Sequence, residues 1–122
     1  MTESKFLDSS VWLSYYFGDS KEAKDVIDGD VIVLTSALCI FEVKKRLLKL
    51  KKNAKEFTEF IKKRSAVYIP SMLIIEKAAD VSVEYDLGAM DAIIYTSALL
   101  NNTEFVTGDN DFRGLKNVRV IE

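Results

Sequence analysis

The 122 residues include no histidine, one cysteine (Cys39) and one proline (Pro70). Without imidazole, His-dependent catalysis and zinc–histidine sites are excluded. A lone cysteine cannot form an internal disulfide. Lying between Leu38 and Ile40 with no histidine to activate it, Cys39 reads as a small core residue, not a nucleophile. No stretch approaches the roughly 20 apolar residues that span a bilayer. The opening Met1-Thr2-Glu3-Ser4-Lys5 lacks the basic-then-apolar layout of a secretion signal. Repeats, low-complexity tracts and linkers are also missing. The expectation is one domain over residues 1–122, in a reducing cytoplasm and away from membranes.

What is present is ordinary globular composition, 48% hydrophobic and 30% charged, with an uneven spread of charge behind a net −2. Residues 44–64 carry ten Lys or Arg against Glu56 and Glu59, whereas the remainder has seven basic and seventeen acidic residues. Such asymmetry marks either a solvated helical face or a surface for phosphates.

Hydrophobic patterning alternates between strand and helix. Strands are expected at Lys5 to Asp8, Val31 to Leu34, Ala66 to Ile69, Glu104 to Thr107 and Val118 to Ile121. Val31 to Leu34 and Ala66 to Ile69 read as continuous runs buried on both faces. Between them lie helices over Val11 to Phe17, capped by Ser9 or Ser10, and Lys21 to Ile27. A long helix capped by Thr35-Ser36 carries Ile40, Val43, Leu47 and Leu50 as its apolar stripe, and others span Ala54 to Arg64, Met72 to Tyr85 and Met90 to Leu100. The order is that of an α/β domain with a mainly parallel sheet of five strands flanked by helices.

Four acids are drawn to one edge of that sheet. Right-handed crossovers bring strand carboxyl ends and helix amino ends together. Asp8 ends the first strand, Asp109 follows the strand ending at Thr107, Glu42 is early in the helix after the second strand, and Asp91 opens the most apolar helix. Two carboxylates about 5 Å apart repel by roughly 3 kcal/mol at an effective dielectric of about 20, so the group calls for a cation. Oxygen ligands without His or Cys favour Mg2+ or Mn2+. Taken singly, Asp8 and Asp91 also suit helix capping or the helix dipole, Glu42 a solvent-facing position, and Asp109 the turn in Thr107-Gly108-Asp109-Asn110-Asp111.

Four blocks, Phe6-Leu7-Asp8-Ser9-Ser10-Val11, Phe41-Glu42-Val43, Met90-Asp91-Ala92-Ile93-Ile94 and Phe105 to Phe112, resemble in order the acidic motifs of PIN domains of the VapC toxin kind. The resemblance implies a metal-dependent endoribonuclease leaving 5′-phosphate and 3′-hydroxyl ends, the toxin of a VapBC-type pair. One or two Mg2+ or Mn2+ ions would be held by Asp8, Glu42, Asp91 and Asp109. Asp111 is a reserve ligand or loop-fixing residue, and Ser9, Ser10 and Thr107 would hold carboxylates or water in place. RNA or an acidic antitoxin segment would meet Lys44, Lys45, Lys49 and Lys52, while a homodimer or antitoxin groove would use helix faces near Trp12, Tyr15 and Phe57.

The alternative is a PIN-like RNA- or protein-binding module without turnover. A phosphoacceptor receiver is disfavoured because Ile69-Pro70 stands where its acceptor acid belongs, and an aspartate-nucleophile phosphatase because Ser10 stands where its second acid belongs.

Overall fold

A computed structural model describes residues 3–122. Five strands, β1 (Ser4–Leu7), β2 (Ile32–Ser36), β3 (Ala66–Tyr68), β4 (Glu104–Thr107) and β5 (Val118–Val120), alternate with helices. These are α1 (Ser9–Phe17), α2 (Lys21–Ile27), α3 (Ala37–Lys49), α4 (Ala54–Arg64), α5 (Met72–Tyr85) and α6 (Ala89–Leu100), followed by a one-turn 3-10 helix at Asn110–Phe112. The sheet order is β3-β2-β1-β4-β5, and every pairing is parallel. In register, Leu7 lies beside Thr35 on one side and Val106 on the other. The chain works outward from β1 through β2 to β3, then returns to place β4 on the opposite flank of β1. That reversal opens a crevice between β1 and β4 at the strands' carboxyl ends, where ligands of open α/β sheets bind.

Alternation along the strands divides the core in two. Leu7, Val33 and Val106 face one cluster with Val11, Trp12, Leu47 and Ile61, while Phe6, Leu34 and Phe105 face a second with Tyr95, Ala98 and Phe112. Helices α1, α2 and α4 therefore cover one face and α5 and α6 the other. Helix α3 serves both, since Cys39 joins the second cluster and Val43 and Leu47 the first.

Several expectations shift in detail. Asp8, not Ser9 or Ser10, is the N-cap of α1, accepting from the Ser9 backbone N–H at 2.9 Å. The chain leaves the sheet one residue earlier than the hydroxyl pair suggested, since an Asp carboxylate caps as well as a serine. Ser36 caps α3, but Thr35 belongs to β2, where its hydroxyl donates to the Leu7 carbonyl and accepts from Trp12 Nε1. The doubly buried reading of Ala66 to Ile69 fails. β3 is the sheet's edge, Ala66 and Tyr68 are exposed, and Ile69 beyond it is 83% exposed. An apolar run does not say whether a strand has one neighbour or two. In α3 the buried stripe is Cys39, Val43 and Leu47, while Leu50 is exposed past the helix end.

Candidate metal centre

Asp8 stands directly after β1, and its backbone N–H still bonds the Val106 carbonyl at 3.0 Å, so the sheet itself sets its position. Its side chain is buried and accepts three hydrogen bonds: Ser9 N–H at 2.9 Å, Ser10 Oγ at 3.1 Å and Thr107 Oγ1 at 2.7 Å. The Thr107 hydroxyl also accepts from the Asp109 backbone N–H at 3.0 Å, and Ser10 Oγ accepts from Gly108 N–H at 2.8 Å. Through these two hydroxyls the β1–α1 turn is laced to the loop after β4. Even so, burial holds the Asp8 carboxyl above its ordinary range against the three donors, and the charge of Glu42 adds to the effect.

Glu42 arrives from the second turn of α3. Ser9 Oγ donates to its Oε1 at 3.0 Å, so the two adjacent serines divide their work, Ser9 on Glu42 and Ser10 on Asp8. Asp91 lies in the first turn of α6, whose N-cap Gly88 offers no side-chain cap. Burial first, then the charges of Asp8, Asp109 and Asp111, push its carboxyl up to about 6. Glu42 is raised by burial and by the charge of Asp91, against the Ser9 hydroxyl and the Lys45 cation. Asp109 fulfils its turn role too, since its Oδ1 accepts from the Asp111 backbone N–H at 2.9 Å and caps the 3-10 helix. Asp111 is exposed and reaches Asp91 by charge. Asp91 is thus coupled by charge to Asp8, Asp109 and Asp111, while among the described residues the group of ligand atoms within 4.8 Å of one another holds Asp8 and Glu42 but neither Asp91 nor Asp109.

The donor set suits a hard divalent cation. Carboxylate oxygens of Asp8 and Glu42 lie within 4.8 Å of one another and of Cys39 Sγ. Burial first, and mutual repulsion after it, raises the carboxyl groups of Asp8, Glu42 and Asp91, and a nearby divalent cation would favour their charged forms. Cys39 does not join the set. It is fully buried, its thiol donates toward the Leu7 carbonyl at 3.7 Å, and burial pushes its pKa far above the thiol range, which keeps it protonated. It therefore floors the site, a placement for which its sequence neighbours gave no signal.

The basic span divides. Arg64 is spent on structure, donating to the carbonyls of Ile27, Gly29 and Val31, and Lys62 pairs with Glu59. Lys44, Lys45 and Lys49 are exposed along α3, whereas Lys52 lies beyond its carboxyl end, remote from the acids. Of the aromatics beside the expected partner groove, two belong to the core. Trp12 is fully buried and Phe57 nearly so, because both pack into the first core cluster. What remains open there is a cleft between α1 and α4 lined by Tyr15, Tyr16, Asn53, Glu56, Phe57 and Phe60, with the Tyr15 and Phe60 rings stacked at 5.6 Å.

Fold and site together define a parallel α/β protein with an acidic cluster, Asp8 and Glu42 above Cys39, at the switch point of its sheet. The PIN domain model matches residues 5–118, and the chain belongs to the PIN domain family. Solved structures agree in fold. A toxin-antitoxin complex from Klebsiella pneumoniae matches at TM-score 0.81 and 24% identity, over 95% of this chain and 96% of that one. VapBC2 from Rickettsia felis, bound to a DNA fragment from its promoter, matches at 0.81 and 14% identity, over 98% and 99%. VapC20 of Mycobacterium tuberculosis, a toxin that cleaves the sarcin-ricin loop, matches at 0.79 and 19%, over 97% and 99%. No curated protein sequence matches the chain at a significant level.

Proposed function

We propose that this chain is a divalent-metal-dependent endoribonuclease that hydrolyses RNA phosphodiesters, the toxin of a VapBC-type pair. The observation that carries the reading is the convergence of Asp8, Glu42, Asp91 and Asp109 on the β1–β4 crevice, three of them with carboxyls raised in common. Asp8, Glu42, Asp91 and Asp109 would hold one or two Mg2+ or Mn2+ ions. When bound, such an ion supplies Lewis acidity toward water and phosphate oxygens.

The chain's own residues do the rest. Thr107 and Ser10 hold Asp8 with its Oδ2 fully engaged, and Ser9 aims Glu42. Asp91, with no side-chain hydrogen bond among the described residues and a carboxyl pushed up to about 6, is suited to exchanging a proton with solvent water close to neutral pH. Hydrolysis would leave 5′-phosphate and 3′-hydroxyl ends. The toxin reading draws support from relatives of known structure solved as toxin-antitoxin complexes. A cognate antitoxin would seat an apolar segment in the α1–α4 cleft, and a second copy of the chain would cover the exposed start of α5. No helix among the described residues is long and apolar enough to cross a membrane, in keeping with a cytoplasmic site of action.

End-labelled RNA incubated with the purified chain tests the proposal. Cleavage should require Mg2+ or Mn2+, stop with EDTA, and fall by more than about a hundredfold in Asp8→Asn and Asp91→Asn, beyond what loss of a supporting partner costs. Cleavage indifferent to chelator and to both substitutions would overturn it.

A further inference from the structure

We propose that Phe41 is a stacking platform for an unpaired base of the RNA, with Lys45, Arg46 and Lys49 holding the phosphates beside it. The inference rests on the ribonuclease reading and adds to it a base-stacking subsite beside the acids. At 58% exposure Phe41 is the most solvent-exposed aromatic ring among the described residues, and it immediately precedes Glu42 of the acidic centre. The ring stands between two shallow depressions. One, lined by Phe41, Glu42, Lys45, Arg46, Lys49 and Met90, runs from α3 toward the start of α6, and the other adds Lys44 and Leu48. Lys45 Nζ sits 6.0 Å from the ring centroid, at the limit of a cation–π contact, so the ring is only loosely engaged.

Charge points the same way. Lys44, Lys45, Arg46 and Lys49 form no ion pair among the described residues, in contrast with Lys62 and Lys24 elsewhere. Lys45 and Lys49 follow one another at one helical turn, about 6 Å apart along the axis, leading away from Glu42. A single strand whose scissile bond lies at the acids must leave across one of the neighbouring surfaces. This one offers free cations for its phosphates and an aromatic face for a base, the combination by which single strands are held without sequence readout. A duplex keeps its bases stacked inside and cannot use the ring. A protein segment would use Phe41 together with the equally exposed Leu48, and the antitoxin arm of the test separates that occupant from RNA.

Binding of a short single-stranded RNA carrying 2-aminopurine is measured in the Asp91→Asn background, so that the strand stays whole, and compared with the same sequence annealed into a duplex. Phe41→Leu, whose fold is checked by circular dichroism, should weaken single-strand binding about tenfold and abolish the fluorescence quench of stacking, while Phe41→Trp should retain both. Lys45→Ala with Lys49→Ala should reduce the slope of log affinity against log salt by about 1.4. Duplex affinity should not respond to Phe41. If the wild-type chain cleaves RNA but Phe41→Leu binds and quenches as before, the inference is overturned and the ribonuclease reading stands. It is overturned in the same way if Phe41→Leu spares RNA binding but releases an antitoxin. Absence of both cleavage and RNA binding overturns both.

Discussion

Asp91 is a half-buried carboxyl under the charges of Asp8, Asp109 and Asp111, with no donor among the described residues. Its folded pKa of about 6 lies above the ordinary 3.8, so the folded chain binds a proton that the unfolded chain releases over that interval. Metal-free stability should therefore rise as pH falls from about 7.5 to 5, and be lost again as pH climbs through 6. Asp8 and Glu42 are shifted the same way and add to the trend. Thermal melts in EDTA should show this slope, Asp91→Asn should flatten it, and saturating Mn2+ should reverse it because the ion binds deprotonated carboxylates. A second residue is under strain of another kind. Thr96 Oγ1 is buried in α6 without a hydrogen-bond partner among the described residues. Thr96→Val keeps the shape and removes the stranded hydroxyl, so the denaturation midpoint should move up, by about 1 kcal/mol of stability.

Among the elements, α4 and the α2–β2 turn are held together by one side chain. Arg64 donates from Nε to the Ile27 carbonyl at 2.6 Å and from one terminal nitrogen to Gly29 and Val31 at 3.1 Å each. A lysine keeps the charge but not the fork, so Arg64→Lys should cost about 2 kcal/mol in chemical denaturation while leaving RNA cleavage by the folded chain unchanged. From sequence, Arg64 was indistinguishable from the other cations of residues 44–64, because nothing local reveals three carbonyls arriving from a segment more than thirty residues earlier. The edge position of β3 was hidden for a similar reason: strand order is a property of the sheet, not of the strand. Helix α1 ends as its sequence says it should, with Gly18 at φ 69°, a left-handed cap that a β-carbon would strain.

For the molecule as a whole, the two sides of the sheet are unequally finished. On the α1–α4 side the rings that line the cleft stack on one another and are at least half-buried, whereas α5 opens on Met72 and Leu73, with Leu73 70% exposed. Such side chains are costly to leave in water, which is the physical basis for expecting a second copy there. Light scattering should give twice the 13.8 kDa chain mass for the wild type, and Leu73→Glu, a change at an exposed position, should give a folded monomer. A wild-type monomer at micromolar concentration would remove the homodimer from the proposal.

The alternation of strands and helices, the four acids and the hydroxyls beside Asp8 could all be read from the chain, because backbone periodicity and the right-handed crossover are local rules that carry residues to a known edge. Neither the pairing of Ser9 with Glu42 and Ser10 with Asp8, nor the thiol of Cys39 beneath them, nor the exposure of Phe41 was legible there. Those depend on side chains distant in sequence meeting at particular angles, and only the packed sheet and its helices set those angles.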